Sequence, residues 1–556
     1  MKLISALVLS LAFCISSPAQ SSPVAAPANT DIVAYIANSW NTLTRSIDRC
    51  ETLIDPKLPA HSVLYLPAEL PITDAEKALA QRCNVRVQNL PFKIERLGQL
   101  DVSAIQPHGL LLLRNPYVVP GGRFNEMYGW DSYFIILGLL RDGRIDLARG
   151  MVENFLFEIE HYGAVLNANR TYFLTRSQPP FLTSMILAVY DAGKKNGKED
   201  RAWLTRAYEL AAKDYGLWIR EPHLAGSTGL SRYYDFGEGP VPEERPNNNE
   251  YYREVLHGML QRLNTTYVDA AGSLHPDWPT FTVFTCSGTP SAPADKDCSR
   301  IENVGLSPDF YKGDRSMRES GFDISFRFGS YSAETHHYAP VCLNSLLYKT
   351  EKDMERIATM LGLAAEAKNW SERARRRQIL VQKYLWDDQR GLYFDYNFTN
   401  NTRSTYEYIT TFYPLWAGLA SPEQARAVMR NLATFEHPGG LAMSSRETRV
   451  QWDFPYGWAP VQLLAIEGMR RYGFEEDANR VSYEWLSNVL ENYRRDGTIR
   501  EKYNVVTRSS ETPVSAGYKT NVVGFGWTNG VYLELLKDLP RAWVDKLQSV
   551  GRAAKD

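Results

Sequence analysis

The sequence predicts an all-α protein in which one large domain occupies most of the 556 residues. Along a series of stretches, apolar residues recur at steps of three and four, which is the spacing of amphipathic helices. The segments between them are long, rich in glycine, proline, asparagine and aromatic residues, and rarely alternate as strands do. No linker composition interrupts residues 31–540. Many helices in one unbroken domain favour a toroid of helical hairpins, with a helical solenoid as the alternative.

The predicted helices follow one another from the start of this domain to its end. Leu343, Leu346 and Leu347 show the three- and four-residue steps within one of them. In a toroid, the long loops gather at one mouth, so we expect the functional site there. The helices are predicted at residues 31–54, 127–140, 145–160, 180–192, 201–220, 332–350, 351–369, 371–385, 422–434, 459–472, 475–492 and 522–536.

The composition argues against several classes of function. With 62 Lys and Arg against 64 Asp and Glu, the formal net charge is −2, so the basic excess typical of nucleic-acid binding is missing. A hydrophobic fraction of 44% with 23% charged residues is typical of a globular chain and not of a disordered one. The 13 Trp, 32 Tyr and 22 Phe residues suit a large core and also sites for sugars. The composition thus indicates a sizeable soluble enzyme.

The first residues have the pattern of a secretory signal peptide. A short basic start, Met1-Lys2, precedes an apolar run over residues 3–17, and small residues follow. The run is too short to span a bilayer, and no later stretch reaches about twenty apolar residues, so we expect no membrane anchor. The expected location is the periplasm or the outside medium. The predicted organisation is a signal peptide at 1–20, a linker at 21–30, a single catalytic domain at 31–540 and a C-terminal tail at 541–556.

Five cysteines follow the signal segment, and none forms a CxxC pair near histidine, so a zinc site of that kind is not expected. In an oxidising compartment, a disulfide between Cys286 and Cys298 would close a short polar segment. Cys50 and Cys83 are a second candidate pair, and the sequence leaves the connectivity open. Cys342 lies in an apolar helical pattern and is predicted to be a buried free thiol.

Arginine, acidic, amide and aromatic residues interleave in short clusters. Asp323 sits between aromatic and apolar neighbours, which raise the pKa of a carboxyl group and can keep it protonated as an acid. An ion pair between Asp323 and Arg327 is the alternative. Glu501 lies beside Lys502, where a solvated charge pair is the alternative. The clusters occupy residues 120–133, 167–180, 318–328, 451–460, and 500–504 with 524–530.

Other catalytic chemistries lack their motifs. The sequence contains no GxSxG elbow, no P-loop and no GxGxxG turn after a strand. His336 and His337 are adjacent, so on an α-helix they point about 100° apart and do not chelate one metal as an i, i+4 pair does. We therefore expect no metal and no cofactor. Carboxylates with arginine, amide and aromatic neighbours suit glycoside hydrolysis, in which two acids flank the scissile bond.

These clusters resemble the trehalases of glycoside hydrolase family 37. The segments PGGRFNEMYGWDSY (120–133) and QWDFPYGWAP (451–460) carry the resemblance most specifically. NANRTYFLTRSQPP, ESGFDISFRF, YAPVCLNSLLY, REKYN and GFGWTNG are similar to the family's other landmarks, so the resemblance spans about residues 100–535. It implies an (α/α)6 toroid that hydrolyses α,α-trehalose to two glucose molecules, with inversion at one anomeric carbon.

The resemblance also implies roles for individual residues. Asp323 of ESGFD matches the general acid that protonates the bridging oxygen, and Glu501 of REKYN matches the general base that activates a water. For an inverting reaction, the two carboxyl groups are expected about 6.5–9.5 Å apart. A small-molecule substrate and a monomeric enzyme are expected. Positions similar to the family's sugar-binding residues and pocket walls are Arg123, Phe124, Trp130, Asp131, Asn167, Arg176, Ser177, Gln178, Glu243, Gly321 and Trp458.

Two segments depart from the family's pattern. Bacterial relatives have a PRPES-like stretch where residues 239–246 read GPVPEERP, so Glu243 keeps the acid and Val241 occupies the arginine position unless Arg245 replaces it. The loop that closes over the site in relatives is here residues 510–523, with Gly517-Tyr518 in place of the usual Glu-Tyr. Because lid closure excludes water and often gates turnover, affinity, rate and exact substrate depend on this loop.

Three other interpretations remain open on the sequence. The altered loop allows another toroid glycosidase that acts on a trehalose-like or other α-glucosidic substrate. A catalytically impaired sugar-binding protein is the second, and the intact Asp323 and Glu501 argue against it. The third is a helical scaffold for protein partners, which gives no reason for polar and aromatic loops.

Overall fold

The computed structural model describes residues 31–55, 62–247, 249–286, 289–291, 298–517 and 519–550. The predicted signal peptide, the predicted linker and the last residues of the predicted tail lie outside these ranges. Among the described residues, no helix combines the length and the apolar character that crossing a membrane requires.

Helices supply most of the regular structure, and many begin within a few residues of their predicted start. Five of them, at 145, 201, 422, 459 and 475, begin where the apolar periodicity places them. The helices are α1 Ile32–Leu43, α2 Cys50–Leu53, α3 Asp74–Cys83, α4 Asp131–Arg141, α5 Ile145–His161, α6 Leu182–Lys195, α7 Arg201–Trp218, α8 Glu250–Gln261, α9 Pro308–Glu319, α10 Val341–Met360, α11 Ala364–Tyr384, α12 Tyr413–Ala417, α13 Pro422–Arg430, α14 Ala459–Arg471, α15 Glu475–Asp496, α16 Gly526–Lys537 and α17 Arg541–Ser549.

Six helices form a closed inner ring. In chain order α4, α6, α10, α12, α14 and α16 each contact the next, and α16 returns to α4. The helices α5, α7, α11, α13 and α15 each follow an inner helix in sequence, and α1 packs against α16, which completes the outer layer. One continuous apolar core fills the space between the layers. The arrangement is the predicted toroid of helical hairpins.

Closure of the ring depends on a close approach between α4 and α16. A β-carbon at Gly530 would lie 2.1 Å from the carbonyl oxygen of Phe134, and one at Gly138 would lie 2.6 Å from the α-carbon of Gly530. Both distances are far shorter than van der Waals contact, so this crossing requires glycine on both helices. The first turns of α4 and α16 are thereby held side by side.

Short strands form small sheets in the segments that connect the helices. The pair β17–β18 is antiparallel and sets Trp458 opposite Lys502, which brings two of the predicted site segments together. The sheet β3-β2-β4 is parallel, and β6-β9-β7-β8 is antiparallel. The strands are β1 Thr44–Arg45, β2 Val63–Leu66, β3 Arg86–Asn89, β4 Leu110–Leu111, β5 Tyr117–Val118, β6 Val268–Ala270, β7 Thr280–Cys286, β8 Thr289–Ser291, β9 Cys298–Leu306, β10 Tyr338–Ala339, β11 Trp386–Asp387, β12 Leu392–Tyr393, β13 Tyr396–Asn397, β14 Thr402–Arg403, β15 Glu436–His437, β16 Gly440–Leu441, β17 Tyr456–Trp458 and β18 Lys502–Asn504.

The region from α8 to α9 differs from the helical prediction. It contains a four-stranded antiparallel sheet and has a separate apolar core, to which α8 and α9 both contribute. The helix predicted at residues 332–350 begins only at Val341, and short 3-10 turns precede it at Ser330–Ser332 and Thr335–His337. Apolar periodicity extends upstream of the true helix start, and it does not mark the turns.

Apolar spacing does not predict α9, because charged and polar residues interrupt its few apolar side chains. Phe310, Tyr311 and Met317 pack in the separate apolar core, whereas its buried charges form ion pairs, as Arg315 and Arg318 do. The start of the helix is still encoded locally: the Ser307 hydroxyl accepts a backbone N–H of the first turn, and Pro308 occupies the first turn. A helix that buries paired charges beside a few apolar side chains lacks the continuous stripe that an apolar-periodicity search detects.

The cysteines agree with the sequence where the structure describes them. A disulfide joins Cys50 at the start of α2 to Cys83 at the end of α3. Cys342 is a buried free thiol, as predicted. The backbone of Cys286 lies opposite that of Cys298 in the pair β7–β9, but their side chains fall outside the described part of the chain, so this disulfide stays a prediction.

The crossing of α4 and α16 can be tested with one methyl group. We expect Gly530→Ala to lower the free energy of unfolding by about 1–3 kcal/mol or more, since the added carbon overpacks a backbone contact. Gly216→Ala on α7 is the matched control, because nothing lies within 4 Å of a β-carbon at this position. Alanine has a higher helix propensity than glycine, so this change is expected to stabilise the protein by up to about 1 kcal/mol. Urea unfolding of both variants measures the difference, and equal midpoints would contradict the crossing.

Candidate active site

A cavity of about 540 Å³ opens where several segments lead into the N-terminal ends of inner helices. Its walls come from loops before α4, α6, α14 and α16, and from the residues around the end of α9. Polar and aromatic side chains alternate around it, as a site for a sugar requires. The lining residues are Asp55, Pro120, Arg123, Phe124, Asn125, Glu126, Tyr128, Trp130, Asp131, Asn167, Arg170, Tyr172, Phe173, Arg176, Gln178, Glu243, Glu244, Arg318, Gly321, Asp323, Gln451, Trp452, Trp458, Glu501, Phe525 and Trp527.

Asp323 reaches the cavity from the segment that follows α9. Burial raises the pKa of its carboxyl group to about 7, although the positive charges of Arg318 and Arg176 act in the opposite direction. Gly321 permits this path, because its φ is +75° and a β-carbon there would lie 2.9 Å from the ring of Trp130. The ion pair of Asp323 with Arg327 does not form, since Arg327 instead pairs with Asp395 at 2.6 Å.

Glu501 reaches the cavity from the residue before β18. Its backbone N–H donates to the carbonyl of Val522, and its own carbonyl accepts from the indole N–H of Trp527 at 3.3 Å. The Lys502 ammonium lies 3.5 Å from the Glu501 carboxylate. The Lys502 side chain is fully buried, and burial lowers its pKa although Glu501 raises it. Glu501 and Lys502 are therefore an internal charge pair and not a solvated one.

Gln451 connects the two predicted catalytic segments. Its side-chain amide donates to the backbone carbonyl of Asp323, while its side-chain oxygen accepts from the Lys502 ammonium at 3.2 Å. Its own carbonyl accepts the indole N–H of Trp458 at 2.8 Å. A chain of hydrogen bonds thus runs from the backbone of Asp323 through Gln451 to the cation that stands beside Glu501.

Asp131 adds a third carboxyl group to the same cavity. It opens α4, is 5% exposed and lines the cavity together with Asp323 and Glu501. Burial, and then the negative charges of Glu501 and Asp323, raise the pKa of Asp131 well above its usual value. Buried carboxyl groups with raised pKa values in one cavity are typical of sites that transfer protons.

Two buried arginines organise the acidic wall of the cavity. Arg176 pairs with Glu243 and, at 3.5 Å, with Asp235. Although burial alone would raise it, the guanidinium groups of Arg176 and Arg318 hold the pKa of Glu243 at about 2. Arg318 itself pairs with Glu244 and with Asp314, each at 3.2 Å. Each guanidinium is therefore fixed by two carboxylates before any ligand enters.

Tryptophan rings form the opposite side of the cavity. Trp452 and Trp458 stack with ring centroids 3.8 Å apart and nearly parallel planes, and Trp130 and Trp527 meet edge to face at 5.6 Å. All four rings are at most 3% exposed. A rigid aromatic wall of this kind offers an apolar face for the C–H surface of a sugar ring.

The cavity brings together every predicted site residue except Ser177. That serine is 1% exposed and lies behind the wall, where its hydroxyl donates to the carbonyl of Val165 and its backbone N–H donates to Glu319. Asn167 and Gln178 do line the cavity. The Gln178 side-chain oxygen accepts the backbone N–H of Trp130 at 2.9 Å, so it also holds the start of α4 in place.

Other lining residues are not singled out by the sequence. Gln451, Trp452 and Trp527 lie within the quoted motifs, so those motifs could have identified them as lining residues. Asp55 lies in no quoted motif: it meets Arg170, which does lie in one, at 2.5 Å although 115 positions separate them. Arg170 also pairs with Glu126 at 2.6 Å, which completes a buried triad at the cavity wall.

The two departures from the family's pattern have defined surroundings. Val241 is completely buried in the core beside α8, and its backbone N–H donates to the hydroxyl of Tyr252. The side chain of Arg245 lies outside the described part of the chain. None of the described residues of 510–523 lines the cavity. Two contacts hold this loop in place. The backbone N–H of Ser515 donates to the carbonyl of Arg449, and Lys519 forms an ion pair with Glu254.

Comparison with known proteins places the chain in a family. The trehalase family model matches residues 30–540. The chain is 36% identical to a probable trehalase of Eremothecium gossypii and to a cytosolic neutral trehalase of Saccharomyces cerevisiae, over 90% of its length and 71% and 70% of theirs. Its structure matches that of neutral trehalase Nth1 from Saccharomyces cerevisiae with a TM-score of 0.74 and 33% identity, covering 94% of this chain and 96% of that one. The match confirms the predicted (α/α)6 toroid.

The predicted location in the periplasm or the outside medium is wrong by the same comparisons. Relatives from Saccharomyces cerevisiae and Neurospora crassa are named cytosolic neutral trehalases. The prediction rested on a short apolar run within residues 1–20, which lie outside the described part of the chain, and such a run carries little information beside an alignment over most of the chain. A periplasmic bacterial subtype gains no support. The chain is a glycoside hydrolase that belongs to the trehalase family.

Proposed function

We propose that this chain hydrolyses α,α-trehalose to two glucose molecules with inversion at one anomeric carbon. One observation carries the proposal: Asp323 and Glu501 line the same cavity in opposite electrostatic settings. Burial raises the pKa of Asp323 to about 7, whereas Glu501 has a buried ammonium 3.5 Å away. The family and the names of the relatives support trehalose as the substrate.

In this proposal Asp323 is the general acid. A carboxyl group whose pKa is about 7 keeps its proton through much of the neutral range and can deliver it to the bridging oxygen as the glycosidic bond breaks. The hydrogen bond from Gln451 to the Asp323 carbonyl fixes the backbone that carries this acid. The arginines on either side lower the pKa of Asp323, so the acid is strong enough to give the proton up.

Glu501 is the general base that accepts a proton from the attacking water. The Lys502 ammonium lies 3.5 Å from its carboxylate and helps to position it. An inverting reaction needs about 6.5–9.5 Å between the two carboxyl groups, so that the water fits on the face opposite the leaving group. Gln451 and Lys502, which lie between the two segments, act as positioning residues for both.

The remaining cavity residues bind the two sugar rings. Asp131, Arg123, Asn167, Arg176 and Gln178 offer hydrogen-bond donors and acceptors for hydroxyl groups. The tryptophans exclude water from the reacting bond. A substrate that lacks a bonded hydroxyl leaves buried polar groups unpaired, which is the physical basis of specificity for trehalose.

We also propose that residues 31–540 form one catalytic domain that acts as a monomer. The closed inner ring supports the single domain, because its first and last helices, α4 and α16, pack against each other. Both proposed catalytic carboxyl groups and the arginines beside them lie in one cavity of this ring. Light scattering is expected to give the mass of a single chain, 63.2 kDa.

Removing either carboxyl group tests the assignment of roles. We expect Asp323→Asn and Glu501→Gln each to lower kcat by about 10²–10⁴-fold, which is the usual contribution of a positioned acid or base. The matched controls, Asp388→Asn and Glu372→Gln, change exposed carboxyl groups and are expected to leave kcat unchanged. Glucose release from trehalose measures the effect, with circular dichroism as the check on folding. Near-normal activity in either cavity variant would reject its role.

The stereochemistry of the product provides a separate test. Proton NMR in the first minutes of reaction is expected to show α- and β-glucose in equal amounts, because one ring keeps its configuration and the other inverts. Only α-glucose would indicate retention and exclude the proposed water attack. No glucose from trehalose, with release from another α-glucoside, would withdraw the substrate and keep the reaction class.

The raised pKa of Asp323 predicts the alkaline side of the pH profile. The acid works only while protonated, so kcat/KM is expected to fall above about pH 7, approaching tenfold per pH unit as the group ionises. Initial rates from pH 5 to 9 on enzyme shown to remain folded measure this limb. A rate that stays flat through this range would show that no group near Asp323 must hold a proton.

Lys502 is predicted to act through Glu501. We expect Lys502→Met to lower kcat by up to about 100-fold with little change in KM, because Glu501 and Gln451 both lose the ammonium that positions them. Lys502→Arg keeps a cation within hydrogen-bonding reach and is expected to recover most of kcat. Equal losses of kcat in Lys502→Met and Lys502→Arg, or a loss that appears in KM instead, would leave Lys502 a purely structural role.

A further inference from the structure

Three metal-ligating side chains meet at the start of α9, outside the cavity. His336 and His337 come from the 3-10 turn Thr335–His337, and Asp309 comes from the first turn of α9. The Nε2 atom of His336 lies 2.9 Å from Oδ1 of Asp309, and that of His337 lies 3.8 Å from the same oxygen. The two imidazole rings are 3.9 Å apart. The three donor atoms all lie within 4.8 Å of one another.

This geometry overturns the argument from sequence that adjacent histidines cannot share one metal. That argument places His336 and His337 on an α-helix, where they would point about 100° apart. The residues lie instead in a 3-10 turn that ends before β10, and both rings face the same carboxylate. The expectation of no metal site therefore loses its physical basis at this position.

We propose that Asp309, His336 and His337 form a binding site for a divalent transition-metal ion of the zinc class. Two imidazole nitrogens and one carboxylate oxygen are ligands that suit such ions, whereas magnesium and calcium prefer oxygen alone. In a tetrahedral site with bonds of about 2.0–2.2 Å, the donor atoms lie about 3.3–3.6 Å apart, so the distance from His337 to Asp309 has to shorten and that from His336 to Asp309 has to lengthen. Small side-chain rotations supply this movement, because the side chains of His337 and Asp309 are 28% and 50% exposed.

Contacts around the cluster hold its parts in place. Arg232 donates to the backbone carbonyl of His336, which fixes the turn that carries both histidines. The Asp309 side chain is 50% exposed, so water can complete the coordination of an ion.

The site is separate from the catalytic one. None of its three residues lines the cavity. Asp309 lies in the first turn of α9, whereas Asp323 follows the last turn, so about 15 Å of helix separates the two. An ion there would tie the start of α9 to the turns before α10. We therefore expect it to stabilise the fold, since a ligand bound only by the folded state raises the free energy of unfolding.

Titration of the chelator-treated full chain with zinc chloride tests the proposal. Calorimetry is expected to show one zinc ion bound per chain, a raised Tm and no binding of magnesium. We expect His337→Gln and Asp309→Asn each to weaken zinc binding at least tenfold and to abolish the rise in Tm. His161→Gln is the matched control, because His161 pairs with Glu69 and does not belong to the cluster. This variant is expected to bind zinc as the unchanged protein does.

Two results would overturn the site. One is the absence of zinc binding at a molar excess, and the other is equal zinc affinity in the unchanged protein, His337→Gln and Asp309→Asn. The readouts are heat and Tm, so they do not depend on trehalose hydrolysis. Cobalt offers an independent check, because a four-coordinate nitrogen and oxygen site gives it a visible absorption band that the two cluster variants are expected to lose.

Discussion

The functional site depends on the contact between α4 and α16. Glycine at positions 138 and 530 lets the two helices approach closely enough to close the inner ring. Because both helices begin at the cavity, this contact sets Trp130 and Trp527 edge to face and holds Asp131 in the same cavity as Glu501. Residues from opposite ends of the chain share one wall for this reason. A ring that stayed open would contain all the catalytic side chains and bring few of them together.

The cost of burying charge explains much of the rest of the site. A carboxylate or guanidinium that leaves water needs partners, and here each buried arginine of the wall has two acids. Arg176 and Arg318 therefore have little freedom to move when a sugar enters. The exceptions are Asp323 and Asp131, whose burial is not fully compensated, and the raised pKa of each follows directly. At Asp323 this unfavourable environment serves the proposed mechanism, which needs a carboxyl group that holds a proton.

The sequence predicts the architecture well, because the evidence for it is local. Amphipathic helices such as α5 and α7 begin at the predicted residue, since their apolar stripes face one continuous core. Long motifs also predict which loops meet at the cavity. The sequence fails where structure comes from paired charges or from distant contacts. The helix α9 lacks a continuous apolar stripe, and Asp55, which lies in no motif, meets Arg170 across 115 positions. The argument from sequence about His336 and His337 fails for a third reason, because these residues lie in a 3-10 turn and not in the α-helix assumed for them.

Gln451 explains how the acid and the base are held in position relative to each other. Its side-chain amide donates to the backbone carbonyl of Asp323 and not to the carboxyl group, so it fixes the segment that carries the acid and leaves the carboxyl group to its buried surroundings. Its side-chain oxygen accepts from the Lys502 ammonium, which lies 3.5 Å from the Glu501 carboxylate. Because one amide bonds both segments, a movement of either segment shifts the partner of the other. The guanidinium groups that act on Asp323 come from elsewhere, from α9 and from the loop before α6, so the charge around the acid is set independently of this link.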